Sequence, residues 1–356
     1  MGWHKRLFIP GPTEVRAEIL LAMATPQIGH RMPEIGVLQN RIVEKLQKLL
    51  YTKNKIILFA SSSTGAMEAA VRNLTAKKCI CFTNGSFAER WYKLCVGNGI
   101  PVDQHAVEWG LAIKPEMVKE RLKTGNYDSM TVIMNETSTG ARSPIEGIAD
   151  VMKKFPDVMF LVDAVSCMAG DKIEMDKLGI DVLLAGVQKA FSLPAGLTVC
   201  AVSEKALKKA ETVKNRGFYF DFLEMMTKYD AGQSPNTPAI PQMFALDVQL
   251  DDIIAEGLDA RWARHEKMAN KCRAWAEKHF ALFPEKGYES KTLTVITNTK
   301  GISVSDLNKK LAEHHCAIAN GYGKLKEKTF RIAHMGDCTY PDLLGLLAVI
   351  DEILGL

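Results

Sequence analysis

Two kinds of segment alternate along most of this chain. Short runs of consecutive apolar residues are followed by polar turns, and then by stretches whose apolar residues recur every three or four positions. The runs occupy residues 56–60, 79–82, 130–134, 159–162, 182–185 and 197–202, and the periodic stretches include AMEAAVRNL, FAERWYKLCV and residues 145–155. A strand that is apolar on both sides sits inside a sheet covered on both faces, and intervening helices favour parallel pairing. The pattern predicts an α/β fold with a mostly parallel sheet flanked by helices. Up to residue 50 the chain reads as a loop and then a helix, with Ile35, Leu38, Ile42, Leu46 and Leu49 on one face. Residues 238–256 and 258–283 read as long helices, the second bridging to residues 292–356. That last part reads strand, helix, strand, strand, helix, a small α+β unit.

Composition narrows the class. With 356 residues and 47% hydrophobic content, the chain has enough apolar material for a large unit and a smaller one. The net charge of +4 is scattered. Its densest cluster, Lys324, Lys326 and Lys328, has Glu327 inside it, which suits a solvated face and not a nucleic-acid footprint. The 8 cysteines form no C-x-x-C pair, so neither a zinc ribbon nor a thioredoxin motif is expected. Isolated thiols in apolar segments suit a reducing, cytoplasmic setting. The N-terminus shows no secretory apolar region, and no run approaches the ~20 apolar residues of a membrane helix. No membrane partner is expected.

Candidate chemistry gathers where the apolar runs end, the place where open parallel sheets bind ligands. Ser61, Ser62, Ser63 and Thr64 follow the first run and open a helix, so their hydroxyls and free N–H groups suit an anion such as phosphate. An ordinary N-cap explains the same turn. Phe87 opens the next helix and is placed to cover a planar ring, or to be plain core. Asn135 to Gly140 form another polar turn. Asp163 closes a fully apolar run, and a lone lysine, Lys189, follows another. Burial lowers a lysine pKa and favours the neutral, nucleophilic amine. A buried structural Lys–Asp ion pair is the alternative. Pyridoxal phosphate needs an amine for its Schiff base, an acid for its pyridine nitrogen, a phosphate cradle and a flat neighbour. All four occur at the predicted strand ends.

These residues also carry a family resemblance. Pro10-Gly11-Pro12-Thr13, Gly29-His30-Arg31, Ser62 to Glu68, Asn84-Gly85, Glu136 to Gly140, Val162 to Ser166, Gln188-Lys189, Thr237-Pro238 and Phe330-Arg331-Ile332 stand in the order found in class V aminotransferases. The chain resembles the alanine–glyoxylate and serine–glyoxylate (serine–pyruvate) enzymes of pyridoxal-phosphate fold type I. The resemblance implies that Lys189 binds the cofactor and shuttles the substrate proton, while Asp163 keeps the pyridine nitrogen protonated. It implies that Ser62, Ser63, Thr64 and Gln188 bind phosphate, that Phe87 stacks on the ring, and that Ser138 and Val165 lie near it. Ser234 and Thr237 would reach the phosphate of a neighbouring subunit in a homodimer. Arg331 would clamp the substrate carboxylate, with Gly11 bordering the pocket. Three positions depart from common family choices: Phe87 stands for Trp or His, Ser63 for Gly, and Ser234 for Tyr.

The expected organisation is an N-terminal arm (1–20) serving the small domain or a dimer interface, a large cofactor-binding domain (21–256) and a small C-terminal domain (257–356). The expected reaction is amino-group transfer from alanine or serine to glyoxylate or pyruvate. Phosphorylated or phosphonate substrates are the alternative, with His30 and Arg31 as the extra cations they need. A cysteine desulfurase would use Cys316 or Cys338, but such enzymes place a histidine at the positions of Phe87 and Gln188. A non-catalytic regulator fits poorly with Lys189, Asp163 and Arg331 occurring together.

Overall fold

The computed structural model describes residues 4–356, so the first three residues of the expected N-terminal arm lie outside it. The strands, in chain order, begin with β1 (Arg6–Phe8), β2 (Lys55–Phe59), β3 (Cys79–Thr83), β4 (Val102–Ala106) and β5 (Ser129–Ile133). A small pair, β6 (Asn135–Glu136) and β7 (Ala141–Arg142), comes next. After it come β8 (Met159–Asp163), β9 (Val182–Gly186), β10 (Thr198–Val202), β11 (Ala281–Leu282), β12 (Leu293–Thr297), β13 (Cys316–Asn320) and β14 (Thr329–Ala333). Four helices matter below: α1 (Ala17–Met23), α2 (Pro33–Leu50), α3 (Ser63–Leu74) and α4 (Ser86–Gly97).

Seven strands form one sheet in the order β2-β10-β9-β8-β5-β3-β4. Four of its contacts are parallel, and β10 runs antiparallel to both neighbours. Alternate residues serve opposite faces, as strand geometry requires. Ile56, Leu58, Phe160, Val162, Leu183 and Ala185 join the apolar cluster on one side. Ile57, Phe59, Met159, Leu161, Val182 and Leu184 join the cluster on the other, beneath α3 and α4. Burying each such Leu, Ile or Phe contributes about 1.5–3 kcal/mol, which is why these runs carry no polar position.

Two elements escape the apolar pattern. β4, VDQHA, is an edge strand whose residues are only half-buried or exposed. α1 buries only Ile19 and leaves Leu20 and Leu21 exposed. The helix over Leu258–His279 stops four residues earlier than its apolar spacing suggested, because Ala281 and Leu282 pair with β12.

The second sheet has five strands in the order β1-β13-β14-β12-β11. Its N-terminal strand is parallel to β13, with Arg6 opposite Cys316 and Phe8 opposite Ile318. The chain thus starts in the small sheet and crosses to the large one. No helix among the described residues is long and apolar enough to cross a membrane.

Candidate active site

β2, β3, β5, β8 and β9 point their carboxyl ends the same way, because β10 is antiparallel to both β9 and β2. The turns after these five strands enclose a cavity of about 130 Å³. Ser62, Ser63, Thr64, Phe87, Asp163, Val165, Gln188 and Lys189 all line it. A larger groove of about 780 Å³ opens elsewhere, between Arg72 and Lys214, but it holds none of the candidate residues.

Lys189 stands three residues beyond β9. Its ammonium donates to the carbonyl of Pro10 in the N-terminal arm. The arm is pinned there by Thr13, whose N–H donates to the Gln188 carbonyl at 3.0 Å and whose hydroxyl donates to the Lys189 carbonyl at 2.9 Å. Gly11 lies directly on the lysine stem. A Cβ at Gly11 would sit 2.5 Å from Lys189 Cδ and 2.8 Å from Nζ, and its φ of +111° suits glycine alone. Burial pushes the lysine amine down to about 8; Arg331 and Arg90 act the same way, while Asp163 opposes.

Asp163 closes β8 and is 3% exposed. Its Oδ1 accepts the Val165 N–H at 2.8 Å and its Oδ2 accepts the Trp91 indole N–H at 3.2 Å. Burial raises this carboxyl to about 6, against both hydrogen bonds, and the neighbouring Glu136 carboxylate adds to the rise. Lys189 and Asp163 thus spend their side chains on other partners. Among the described residues no ion pair joins them.

Ser62 is the N-cap of α3, yet its side chain makes no capping bond, so the helix start keeps free N–H groups. Ser63 Oγ and Gln188 Oε1 are both buried without a hydrogen-bond partner. Such orphaned groups cost free energy unless something else satisfies them. Phe87 touches Tyr322, with ring centroids 5.1 Å apart. On β14, Arg331 lies over Tyr322 at 5.5 Å. Its Nε donates to the Asn320 carbonyl at 3.0 Å and its Nη1 to the Thr137 carbonyl at 3.4 Å. It is 8% exposed, and burial pushes its pKa down to about 10. Among the described residues, no carboxylate pairs with it.

Ser138 needs correction, whereas Ser234 and Thr237 were expected to serve a neighbouring subunit and stand apart from this cavity. Ser138 does not line the cavity; its hydroxyl is fully buried, donating to Glu136 Oε1 at 2.6 Å and accepting the Ser86 N–H at 3.0 Å. Thr137 takes the wall position instead. Ser234 and Thr237 are not on the cavity wall either. Thr237 is exposed, and the Ser234 hydroxyl is turned to the Asn236 carbonyl. Arg31 is exposed and donates to the Ser234 carbonyl at 2.9 Å. Neither it nor His30 lines the cavity.

The sequence reading gave no role to Arg90 or Trp91, and within the polar turn at 135–140 it singled out Ser138 where Asn135 and Thr137 line the cavity. Arg90 borders the cavity, donates to Thr64 Oγ1 at 2.9 Å and lies over Phe87 at 5.0 Å. Its only sequence signal is its place one helical turn after Phe87. Trp91, one residue further, had none.

The donor set fits pyridoxal phosphate. The open start of α3, the orphaned Ser63 hydroxyl and the Gln188 amide suit its phosphate. Asp163 suits its pyridine nitrogen, Phe87 its ring and Lys189 its aldehyde carbon.

The model of the family "Aminotransferase class-V" matches residues 20–327. The chain is 31% identical to the L-aspartate–glyoxylate aminotransferase of Paracoccus denitrificans, over 98% of this chain and 90% of the relative. It is 32% identical to a serine–glyoxylate aminotransferase of Methylorubrum extorquens, over 97% and 90%. The crystal structure of an alanine–glyoxylate aminotransferase from Nostoc superposes with a TM-score of 0.94 at 26% identity, covering 99% of this chain and 96% of that one. The chain belongs to the class V aminotransferases of fold type I, and is a transaminase whose cofactor is pyridoxal phosphate.

Proposed function

We propose that this transaminase moves the amino group of a small amino acid, alanine or serine, to a small 2-oxo acid, glyoxylate or pyruvate. The observation that carries this reading is Arg331, a buried guanidinium with no carboxylate partner among the described residues, held 3.4 Å from the carbonyl of the cavity residue Thr137. A buried, unpaired cation beside a small cavity calls for an anion, and one guanidinium fork matches one carboxylate. Glyoxylate also recurs as acceptor in the names of the three relatives above, whereas their donors differ.

When bound, the cofactor supplies an electron-withdrawing ring that makes the substrate's α-hydrogen acidic. Lys189 would take the proton from the substrate's Cα and pass it to the carbon on the far side of the amino nitrogen, a role that its depressed pKa of about 8 suits. Asp163 balances charge at the pyridine nitrogen. Arg331 orients the substrate carboxylate, and the Pro10–Gly11 backbone keeps water from the lysine. The protein works as a homodimer in this reading, with Thr237 turned to the partner. Exposed Leu21, Val37 and Phe218 offer apolar surface for that contact.

A phosphorylated substrate would need a further cation in the cavity. Among the described residues the cations on its wall are Lys189 and Arg90, and Thr64 and Phe87 already engage Arg90. The test is spectroscopic. The visible band of the bound cofactor falls on adding alanine or serine and returns on adding glyoxylate or pyruvate. A band that responds to aspartate or phosphoserine, but to neither alanine nor serine, refutes the proposed donor class.

A further inference from the structure

Three side chains that frame the cofactor cavity come from a single stretch of α4. Phe87 and Arg90 line the cavity, and Trp91 donates to Asp163. The start of this helix is held in an unusual way. Its N-cap is Gly85, which has no side chain to accept the free N–H groups of the first turn. The acceptors come from the turn after β5. Glu136 Oε2 accepts the Phe87 N–H at 3.1 Å and the Ala88 N–H at 2.8 Å. Ser138 Oγ accepts the Ser86 N–H at 3.0 Å. The other carboxylate oxygen, Oε1, accepts the Ser138 N–H at 2.9 Å and its hydroxyl at 2.6 Å.

Both residues are completely buried. The Glu136 backbone is fixed as well: it pairs with Ala141, and its carbonyl accepts the Gly140 N–H at 2.8 Å. Gly85 leaves no slack, because a Cβ there would sit 2.3 Å from Glu136 Cγ. A buried carboxylate is costly, and four donors together with the positive end of a helix offset that cost.

We infer that Glu136 is a positioning residue: with Ser138 it sets the depth and rotation of α4, and through α4 the placement of Phe87 over the cofactor ring and of Trp91 against Asp163. Its reach is electrostatic too, since its charge is felt by both Asp163 and Arg331. This role does not depend on which amino acid is the donor.

The test compares three holoenzyme variants: Glu136→Gln, Ser138→Ala, and Ser303→Ala as control. Ser303 caps the helix Val304–Glu313, away from the cavity, by accepting the Asp306 N–H at 3.1 Å. Three quantities are read: the cofactor dissociation constant, the induced circular dichroism of the cofactor's visible band, and the melting temperature. Glu136→Gln replaces one of the two carboxylate oxygens with an amide NH2 and so sets a donor against the N–H groups of Phe87 and Ala88 or against that of Ser138. It raises the dissociation constant by about tenfold and cuts the induced dichroism, because Phe87 no longer holds the ring at one angle. Ser138→Ala does the same with a rise of about threefold. Ser303→Ala lowers the melting temperature and moves neither cofactor signal. Wild-type affinity and dichroism in Glu136→Gln and Ser138→Ala would overturn the inference, whatever their melting temperatures. Should Glu136→Gln not fold, Ser138→Ala decides by the same two signals.

Discussion

Gly11→Ala puts the contact between the arm and the catalytic lysine under direct test. The new methyl carbon would lie 2.5 Å from Lys189 Cδ, 2.8 Å from Cε and 2.8 Å from Nζ. Ordinary carbon contacts are about 3.5–4.0 Å, so the methyl is roughly 1 Å too close along the whole end of the side chain. Alanine at a φ of +111° also carries backbone strain of about 1–3 kcal/mol. Relief requires one of two movements. Either Lys189 leaves Pro10, or the arm lifts and loses the two Thr13 hydrogen bonds, each contributing about 0.5–1.5 kcal/mol. When the arm lifts, the combined loss is about 2–6 kcal/mol. In the first case the amine is displaced by about 1 Å, enough to slow the proton-transfer step by about 100-fold; in the second it loses the Pro10 carbonyl that holds it. Gly99→Ala is the control, since Gly99 has a φ of +67° but nothing within 4 Å of a new Cβ. Denaturant unfolding gives the stability of both variants, and the single-turnover loss of the cofactor band with alanine gives the rate. If both variants lose the same stability and Gly11→Ala turns over at the wild-type rate, the close approach has no functional consequence and the reasoning fails.

Two further predictions rest on buried cations. Lys189 has its amine pushed down to about 8 from an ordinary 10.5. Between those pH values the unfolded chain keeps the proton and the folded cofactor-free protein does not, so stability climbs with pH through that window. The climb amounts to about 3 kcal/mol. Lys189→Met should abolish it and be the more stable protein at pH 7, as denaturant unfolding of the two cofactor-free proteins at pH 7 and pH 10 will show. Arg331→Lys keeps the charge but loses the planar fork, and should lower kcat/KM for every amino donor by about 10–100-fold; steady-state rates no different from wild type would remove Arg331 from the substrate site.

The sequence disclosed the fold where burial is two-sided. Runs such as MFLV and LLAG carry no polar residue because both faces of the sheet are covered, and each marks its strand to within a residue or two. β4 was illegible because an edge strand tolerates Asp103, Gln104 and His105, and α1 because a seven-residue helix that buries one side chain leaves no periodic stripe. The cavity residues were legible where they end strands, as Asp163 does, or follow them closely, as Lys189 does. Those reached across the fold were not. Trp91 meets Asp163 only because α4 packs back over the sheet, and no local pattern encodes that contact. Ser138 was misplaced for a related reason: a hydroxyl in a polar turn looks the same whether it faces the ligand or, as here, the start of a helix.

The pairing of β1 with β13 fixes an order of events during synthesis. A ribosome releases the whole large sheet, with Lys189 in place, well before it has made the strand on which the first segment must dock. Until then Pro10 and Gly11 have the Thr13 hydrogen bonds to Gln188 and Lys189 but no anchor in the small sheet. Once the last strands are in place the Lys189 amine lies under a strap held at both ends, by β13 before it and by Thr13 after it.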